Sequence, residues 1–375
     1  MMAAAGAFAG TMFTVQVATC AIAAWRCRKP SSRLAPPLVA PRITLVRTLC
    51  GLESHSDLTL RSGFELDYPD YELILCVARE DDAIVPLVRR MIASFPSVRA
   101  SLLIGDERIS TNPKLNNMLK GWRAAEGEWV VFADSNVLLP PDYLQRLLIA
   151  RRPGVGLVSA PPIGDDPHGF WSEVECGLLN TYQARWQYVV DALGFGFGQG
   201  KTLMFRRDEL AAIGFARLAD EPAEDAAATK AVRRMGKSVR LAEPPFRQPL
   251  GPRSFRAVWS RHLRWARLRR LTFPPLFAAE IFAGLLPPLA AATWALADVG
   301  IPVVAAAAGF TVMWYAPEAL LARIAGWPAT TKSLAAWLVR DLCLPALFVA
   351  AWAGRGVTWN GNVVTAPKSA ADSAR

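Results

Sequence analysis

The chain has 375 residues, room for one large domain or for a domain with a membrane part. At 52% hydrophobic residues and a mean hydropathy of +0.21, it is more apolar than a soluble enzyme usually is. Its net charge of +10 suits an anionic partner. With no helix-turn-helix, zinc-finger or RNA-binding signature, nucleic acid is set aside in favour of anionic lipid or a phosphorylated substrate.

Residues 3–25 carry no charge and are followed by Arg26, Arg28 and Lys29. A cleaved signal peptide carries its positive charge ahead of the apolar run. A signal-anchor helix is therefore expected over residues 1–29, with its basic flank in the cytoplasm. An Ala-rich soluble helix is the plainer alternative. Six cysteines are scattered without C-x-x-C or Cys/His spacing, which sets aside a disulfide framework or zinc site and fits a reducing compartment.

Residues 41–252 read as a globular domain long enough to bury a core. Glu72-Leu-Ile-Leu-Cys-Val-Ala78 is an apolar run of strand length, and Asp81-Asp82 precede a helical pattern through Met91. Ala100–Ile104 is a second short strand. Asn112 to Ala125 reads as a helix with Lys114, Asn116 and Asn117 in its first turns. Trp129–Ala133 is a third strand, with Asp134 immediately after it. This alternation predicts a parallel α/β sheet, in which ligands bind beyond the carboxyl ends of the strands. Asp82 and Asp134 both fall there. Each acid can also serve as a plain cap or turn residue. Asp134, followed by Ser135-Asn136, sits where a divalent metal bridging two phosphates would be held. The first functional acid is Asp81 or Asp82, with Asp82 favoured.

Further on, Gly194-Phe-Gly-Phe-Gly-Gln-Gly200 precedes Thr202-Leu-Met-Phe-Arg206. The cluster lacks the spacing and context of a dinucleotide loop. Gly200-Lys201-Thr202 is no Walker motif, so these glycines read as a tight turn or a close backbone approach to a ligand. Glu224-Asp225 open a helix running through Met235. A carboxylate there can complement the helix dipole or act as general base for a hydroxyl acceptor.

From Arg253 to Arg270 there are seven arginines and no acid, including Arg261-His-Leu-Arg264-Trp265. Such a strip, running into apolar sequence, is expected to be interfacial over residues 253–272. Arg267, Arg269 and Arg270 read as membrane-flanking anchors. Three apolar stretches follow, near 275–297, 301–322 and 334–353, within a membrane segment of 273–355. Glu280 and Pro287-Pro288 predict a kink in the first of them. Arg340-Asp341 in the third predict an internal ion pair or an interfacial position. Residues 356–375 form a tail, expected to be partly disordered.

Asp82, Asp134, Asp225 and Arg261-x-x-Arg264-Trp265, in that order, resemble the acid, acid, acid, (Q/R)-x-x-R-W pattern of inverting glycosyltransferases with the GT-A fold. Phe64-Glu-Leu-Asp-Tyr-Pro-Asp-Tyr-Glu72, Asn112-Pro-Lys-x-Asn-Asn117, Gly156-Leu-Val158, Ala223-Glu-Asp225 and Arg264-Trp-x-x-Leu268 narrow the likeness. The chain resembles the ceramide glucosyltransferases of glycosyltransferase family 21, in a bacterial type, over roughly residues 43–272.

The resemblance implies an α/β GT-A domain with an N-terminal anchor and C-terminal membrane helices. It implies transfer of a hexose, with inversion, from a UDP-sugar (UDP-glucose first) to the primary hydroxyl of ceramide. By the same likeness Asp225 is the base, and Arg264 and Trp265 line the reacting centre. Asp82, Lys114, Asn117, Asp134 and Arg261 are donor contacts, and Asp134 holds Mg2+ or Mn2+. The expected partners are a UDP-sugar and a lipid in a multi-pass membrane setting. The catalytic domain faces the cytoplasm, as at a bacterial inner membrane. The single carboxylate in Asp134-Ser135-Asn136, where an Asp-x-Asp pair is common, departs from the pattern. Galactose or a uronic acid as donor sugar, diacylglycerol or a hopanoid as acceptor, a processive polysaccharide synthase, and a catalytically inactive binding module stay open.

Overall fold

The computed structural model describes residues 1–30, 32–37, 39–354, 356–359 and 362–364. The chain folds into two compact units. One gathers Pro30–Pro162, Val190–Pro249 and the end of the chain, and the other gathers Met1–Lys29, Ile163–Val189 and Leu250–Arg355.

The strands are β1 (Ile43–Leu49), β2 (Tyr71–Val77), β3 (Arg99–Ile104), β4 (Trp129–Asp134), β5 (Val155–Ser159), β6 (Pro162–His168), β7 (Thr202–Arg206), β8 (Ser238–Leu241) and β9 (Phe246–Pro252). Seven of them build the sheet of the first unit in the order β3-β2-β1-β4-β7-β5-β8. The apolar runs read from the sequence are its central strands, because a strand covered on both faces needs apolar side chains at every position. Leu73, Leu75, Val77, Val131 and Ala133 enter the core on one face. Ile74, Cys76, Val130 and Phe132 enter the core on the other, the period-two alternation of a pleated strand.

The strands read from the sequence are parallel as expected, and an antiparallel strand beyond them makes the whole sheet mixed. β1, β2, β3 and β4 are parallel, but β7 runs antiparallel to both β4 and β5. The sequence also hid β1, the strand between β2 and β4. Its run Ile-Thr-Leu-Val-Arg-Thr-Leu carries two threonines and an arginine, and all seven residues are buried.

The second unit is helical. Four of its segments are long and apolar enough to cross a membrane: Met2–Arg26, Pro274–Asp298, Val303–Ala325 and Thr331–Ala353. The second of these is broken where the sequence put its kink. A helix Pro274–Ala279 passes into a 3-10 turn at Glu280–Phe282, and a new helix starts at Leu286 ahead of Pro287-Pro288. Residues 163–189 belong to this unit although they lie inside the stretch read as one globular domain. Their helix Phe170–Gly177 and the π-helix Leu178–Ala184 are almost wholly buried there.

Polar residues inside the unit meet one another. Arg340 Nε donates to Asp341 Oδ1 at 2.8 Å, the expected internal ion pair, and its Nη1 donates to Glu318 Oε2 at 3.0 Å. Gln16 Nε2 reaches Glu318 Oε1 at 2.8 Å, and Tyr315 OH donates to Asp341 Oδ2 at 3.0 Å. Charges removed from water persist only when matched in this way. Of the tail, Val357–Trp359 and Asn362–Val364 pair as an antiparallel hairpin. The disorder expected of the tail concerns mainly residues 365–375, outside the described residues.

Candidate active site

The acids of the first unit cluster at the carboxyl ends of its parallel strands. Asp134 is the last residue of β4, and its carboxylate lies between two ammonium groups. Lys114 Nζ stands 2.8 Å from Oδ1 and Lys201 Nζ 2.9 Å from Oδ2. These two cations outweigh the cost of burial and hold the Asp134 carboxyl well below the usual carboxylate range. In return, Asp134 and Glu224 raise Lys114 above its ordinary value against its own burial. Both groups therefore stay charged across the physiological range.

Local sequence explains how each is placed. Asn112 caps the helix Pro113–Ala124 by accepting from the backbone N–H of Lys114 and Leu115, with Pro113 in the first turn. Lys114 is thereby fixed at the helix start, aimed at Asp134, at Glu224 Oε1 (2.8 Å) and at the Gly200 carbonyl. Lys201 is placed by pairing. Ala133 sits opposite Thr202 in the antiparallel β4–β7 register, and Asp134 N–H donates to the Lys201 carbonyl. From below, fully buried Arg47 clamps the loop after β4, donating from Nη2 to the carbonyls of Asp134 (2.8 Å), Ser135 (3.0 Å) and Val137 (2.9 Å). Its burial pushes the guanidinium down to about 10.

Asp225 lies on the rim of the same cluster. Its Oδ2 accepts from Gly200 N–H at 2.8 Å and its Oδ1 from Ala226 N–H at 2.7 Å. Burial and the adjacent Glu224 carboxylate push its pKa up to about 6, against the opposing pull of Lys114 and the two N–H donors. A carboxylate near neutrality in basicity is what proton abstraction at physiological pH needs. A Cβ at Gly200 would stand 2.8 Å from Lys114 Nζ and 2.9 Å from Glu224 Oε1, so a larger residue there would displace the ends of both site side chains.

At the end of β2 the structure separates Asp81 from Asp82. Asp81 is exposed and pairs with Arg79. Asp82 turns inward, accepting from Gly51 N–H after β1 (2.9 Å) and from Ile84 N–H (3.0 Å). Asn117 is buried three residues beyond Lys114, on the same helix face. Asn116 instead holds the preceding loop, accepting from Ile109 and Ser110 N–H.

Four residues of this cluster were not among the expected site residues: Lys201, Glu224, Asn136 and Arg47. Asn136 accepts from Lys201 Nζ at 2.8 Å and donates to Glu53 at 2.9 Å. The available signals were the arginine within an apolar run and the acid next to Asp225.

Arg261, Arg264 and Trp265 belong to the helix Phe255–Thr272 of the helical unit. The acid missing from the arginine strip comes from Glu175, fully buried, 2.6 Å from Arg261 Nη1 and 3.3 Å from Arg253 Nε. Trp265 packs against Cys176, Leu179 and Leu250 and meets His262 edge to face at 5.1 Å. Arg264 is half-buried, and its burial and Arg261 lower its pKa. Arg269 and Arg270, read as membrane-flanking anchors, bind groups of their own unit. Arg269 pairs with Glu280 through two bonds of 2.7 and 2.9 Å, and Arg270 donates to the Gly354 carbonyl.

The family model described as Glycosyl transferase family 21 matches residues 7–370. The chain belongs to that family. Ceramide glucosyltransferase 1 of Caenorhabditis elegans is 26% identical over 251 residues, 66% of this chain and 54% of the relative. Ceramide glucosyltransferase 3 of the same organism is 23% identical over 331 residues, 86% of this chain and 72% of the relative. The chain thus spans about half the length of the first and nearly three quarters of the second. Among solved structures, a mannosyltransferase from Pyrobaculum calidifontis in complex with GDP-Man and Mn2+ is 21% identical with a TM-score of 0.52. The match covers 90% of this chain and 99% of that one. The fold of this family 21 chain is therefore GT-A, a mixed α/β sheet accompanied by four candidate membrane helices.

Proposed function

We propose that this protein is a membrane-bound inverting glycosyltransferase that moves a hexose from a UDP-sugar, UDP-glucose first, to the primary hydroxyl of a ceramide-like lipid. The observation that carries the reading is the pairing, within one cluster, of a base-competent carboxylate at Asp225 with the Lys114–Asp134–Lys201 group. Relatives named as ceramide glucosyltransferases support the acceptor class. The apolar helices support an acceptor drawn from the bilayer and a multi-pass membrane location. The catalytic unit is assigned to the cytoplasmic face from the basic flank at Arg26–Lys29.

In this reaction Asp225 takes the proton of the attacking hydroxyl as the carbon–oxygen bond forms at the anomeric carbon. The sugar–phosphate bond breaks on the opposite side and UDP leaves. Lys114 and Lys201 offer ammonium N–H groups to the departing diphosphate, whose growing charge a fixed cation stabilises without reorganisation. Asp82 and Asn117 are assigned to the nucleotide side. Arg261 holds its helix through Glu175 and is assigned to the donor. Arg264 and Trp265 take their roles from the sequence pattern.

A divalent cation fits this donor set. Asp134 stays ionised, and each of its oxygens keeps lone pairs beyond the one that faces a lysine. Among the described residues no group of three or more His, Cys, Asp or Glu side chains is placed to hold a metal ion. Asp134 would thus hold Mg2+ or Mn2+ together with the donor's phosphates, the arrangement that hard cations with few protein ligands adopt. When bound, the cation would add positive charge at the diphosphate.

The test is to incubate membranes containing the protein with a panel of UDP-sugars and with ceramide, diacylglycerol and a hopanoid, and to identify products by mass spectrometry. Hexosylceramide is the expected product. Label recovered in polymer, with none in chloroform-soluble lipid, overturns the reading.

A further inference from the structure

The two ammonium groups beside Asp134 are not equivalent. Lys114 faces three acceptors: Asp134 Oδ1 at 2.8 Å, Glu224 Oε1 at 2.8 Å and the Gly200 carbonyl. It also stands at the start of a helix capped by Asn112, so it is the tighter held of the two. Lys201 faces only two, Asp134 Oδ2 at 2.9 Å and Asn136 Oδ1 at 2.8 Å. An ammonium carries three N–H groups, so one of those on Lys201 has no partner among the described residues. The Lys201 side chain is 14% exposed. An arriving anion can therefore take hold of it before it releases either oxygen.

Those two oxygens come from the first and third residues of Asp134-Ser135-Asn136, the positions where an Asp-x-Asp pair is common. Lys201 Nζ sits between them as a cation would. Asn136 donates from Nδ2 to Glu53 Oε1 at 2.9 Å, which leaves its own oxygen turned to Lys201. One carboxylate and one amide oxygen are few ligands for a small dication, which dehydrates reluctantly and draws further oxygens from phosphates. Two oxygens suit an ammonium better. Without a nucleotide, the balance at this pair favours Lys201.

We propose that Lys201 is a resident cation that keeps a divalent metal off Asp134 and Asn136 until the donor's diphosphate draws the ammonium away. This rests on the transferase reading and deepens it, from which residues meet the donor to the order in which donor and metal bind. No covalent bond changes in the exchange. Lys201 trades two oxygens of the loop for oxygens of the diphosphate, and the loop's oxygens pass to the metal. Metal binding is thereby tied to the presence of donor, and Lys201 is already in place when charge grows on the diphosphate.

The experiment uses the full chain in phosphatidylcholine nanodiscs and follows free Mn2+ by electron paramagnetic resonance, with and without UDP. Without UDP, Lys201→Met should bind Mn2+ about tenfold or more tighter than the wild type, since a charge-assisted hydrogen bond no longer competes. Lys201→Arg keeps the charge and should bind as weakly as the wild type. Adding Asp134→Asn to Lys201→Met should erase the gain, which excludes stray binding by a misfolded chain. Saturating UDP, corrected for the Mn2+ it holds in solution, should strengthen Mn2+ binding more in the wild type than in Lys201→Met. An Mn2+ affinity in Lys201→Met no higher than in the wild type overturns the proposal, as does an equal gain from UDP in both. If UDP does not bind the wild type at all, the transferase reading fails. Tighter Mn2+ in Lys201→Met then still upholds the exclusion by Lys201, and an unchanged affinity still overturns it.

Discussion

Asp225 and Asp134 lie in one cluster, yet their surroundings drive their carboxyl groups in opposite directions. Asp134 faces two ammonium groups, while Asp225 faces Glu224 and two backbone N–H donors. The base must be ionised, and the ionised fraction of Asp225 rises with pH through about 6. Log kcat/KM for lipid glycosylation should therefore climb with unit slope below that value and level off above it, in a pH–rate profile. Asp225→Ala should lower kcat by roughly 10²–10⁴-fold with the circular-dichroism spectrum unchanged. Wild-type turnover in that variant would remove Asp225 from the role. Lys201→Met should weaken UDP binding about tenfold, as loss of a hydrogen bond from a charged group does. Calorimetry showing undiminished affinity would mean that Lys201 only neutralises Asp134. Asp134 itself was legible in the sequence because it ends an apolar strand. Lys201 was not, because its neighbourhood to Asp134 comes from an antiparallel pairing across some seventy residues of chain.

At the scale of elements, the site depends on how closely the helix Pro113–Ala124 lies on the sheet. Gly121 makes that approach possible, for a Cβ there would stand 2.3 Å from Val46 Cγ1 and 3.1 Å from Cys76 Sγ. Val46 is β-branched and buried within β1, so its side chain is stiff and closely surrounded. Gly121→Ala should cost about 1–3 kcal/mol by overpacking. A melting scan should show this as a midpoint lowered by roughly 2–4 °C per kcal/mol. An unchanged midpoint would show that the helix can lift without loss. The helix itself was readable from Asn112-Pro113 and the apolar spacing after it. β1 was not, because Arg47 and two threonines break its apolar run. The structure gives two of the three a partner: Thr44 bonds Glu72, and Arg47 bonds the loop after β4.

Across the whole molecule, the chain leaves its sheet-bearing unit at residue 163 and returns at 190, so the helical unit is assembled from three separate segments. What fastens those segments is a buried polar network in which Gln16, Thr181, Arg185, Tyr315, Glu318, Arg340 and Asp341 each find partners. Arg340→Leu would take from Glu318 and Asp341, both 1% exposed at the side chain, the guanidinium they share, leaving two buried acids with Arg185 as the remaining cation beside Glu318, and should destabilise the unit by about 3–5 kcal/mol. Thermal unfolding in detergent would register it, and restoring part of the loss by adding Glu318→Leu would identify the uncompensated charge as the cause. A neutral Arg340→Leu would show that water reaches the network.

Some of this was fixed by sequence alone, because it depends on short-range pattern. Apolar length set the four candidate spans, strand and helix periods set the central α/β elements, and the ordered acids with Arg261-x-x-Arg264-Trp265 set the family. Only the tertiary structure decided that Asp82 rather than Asp81 turns inward. Only there does Lys201 meet Asp134, Glu175 answer the arginine strip, and residues 163–189 join the helical unit. Those outcomes turn on contacts between residues tens of positions apart, whose geometry is set by strand register and buried charge matching. No local pattern in the chain encodes either.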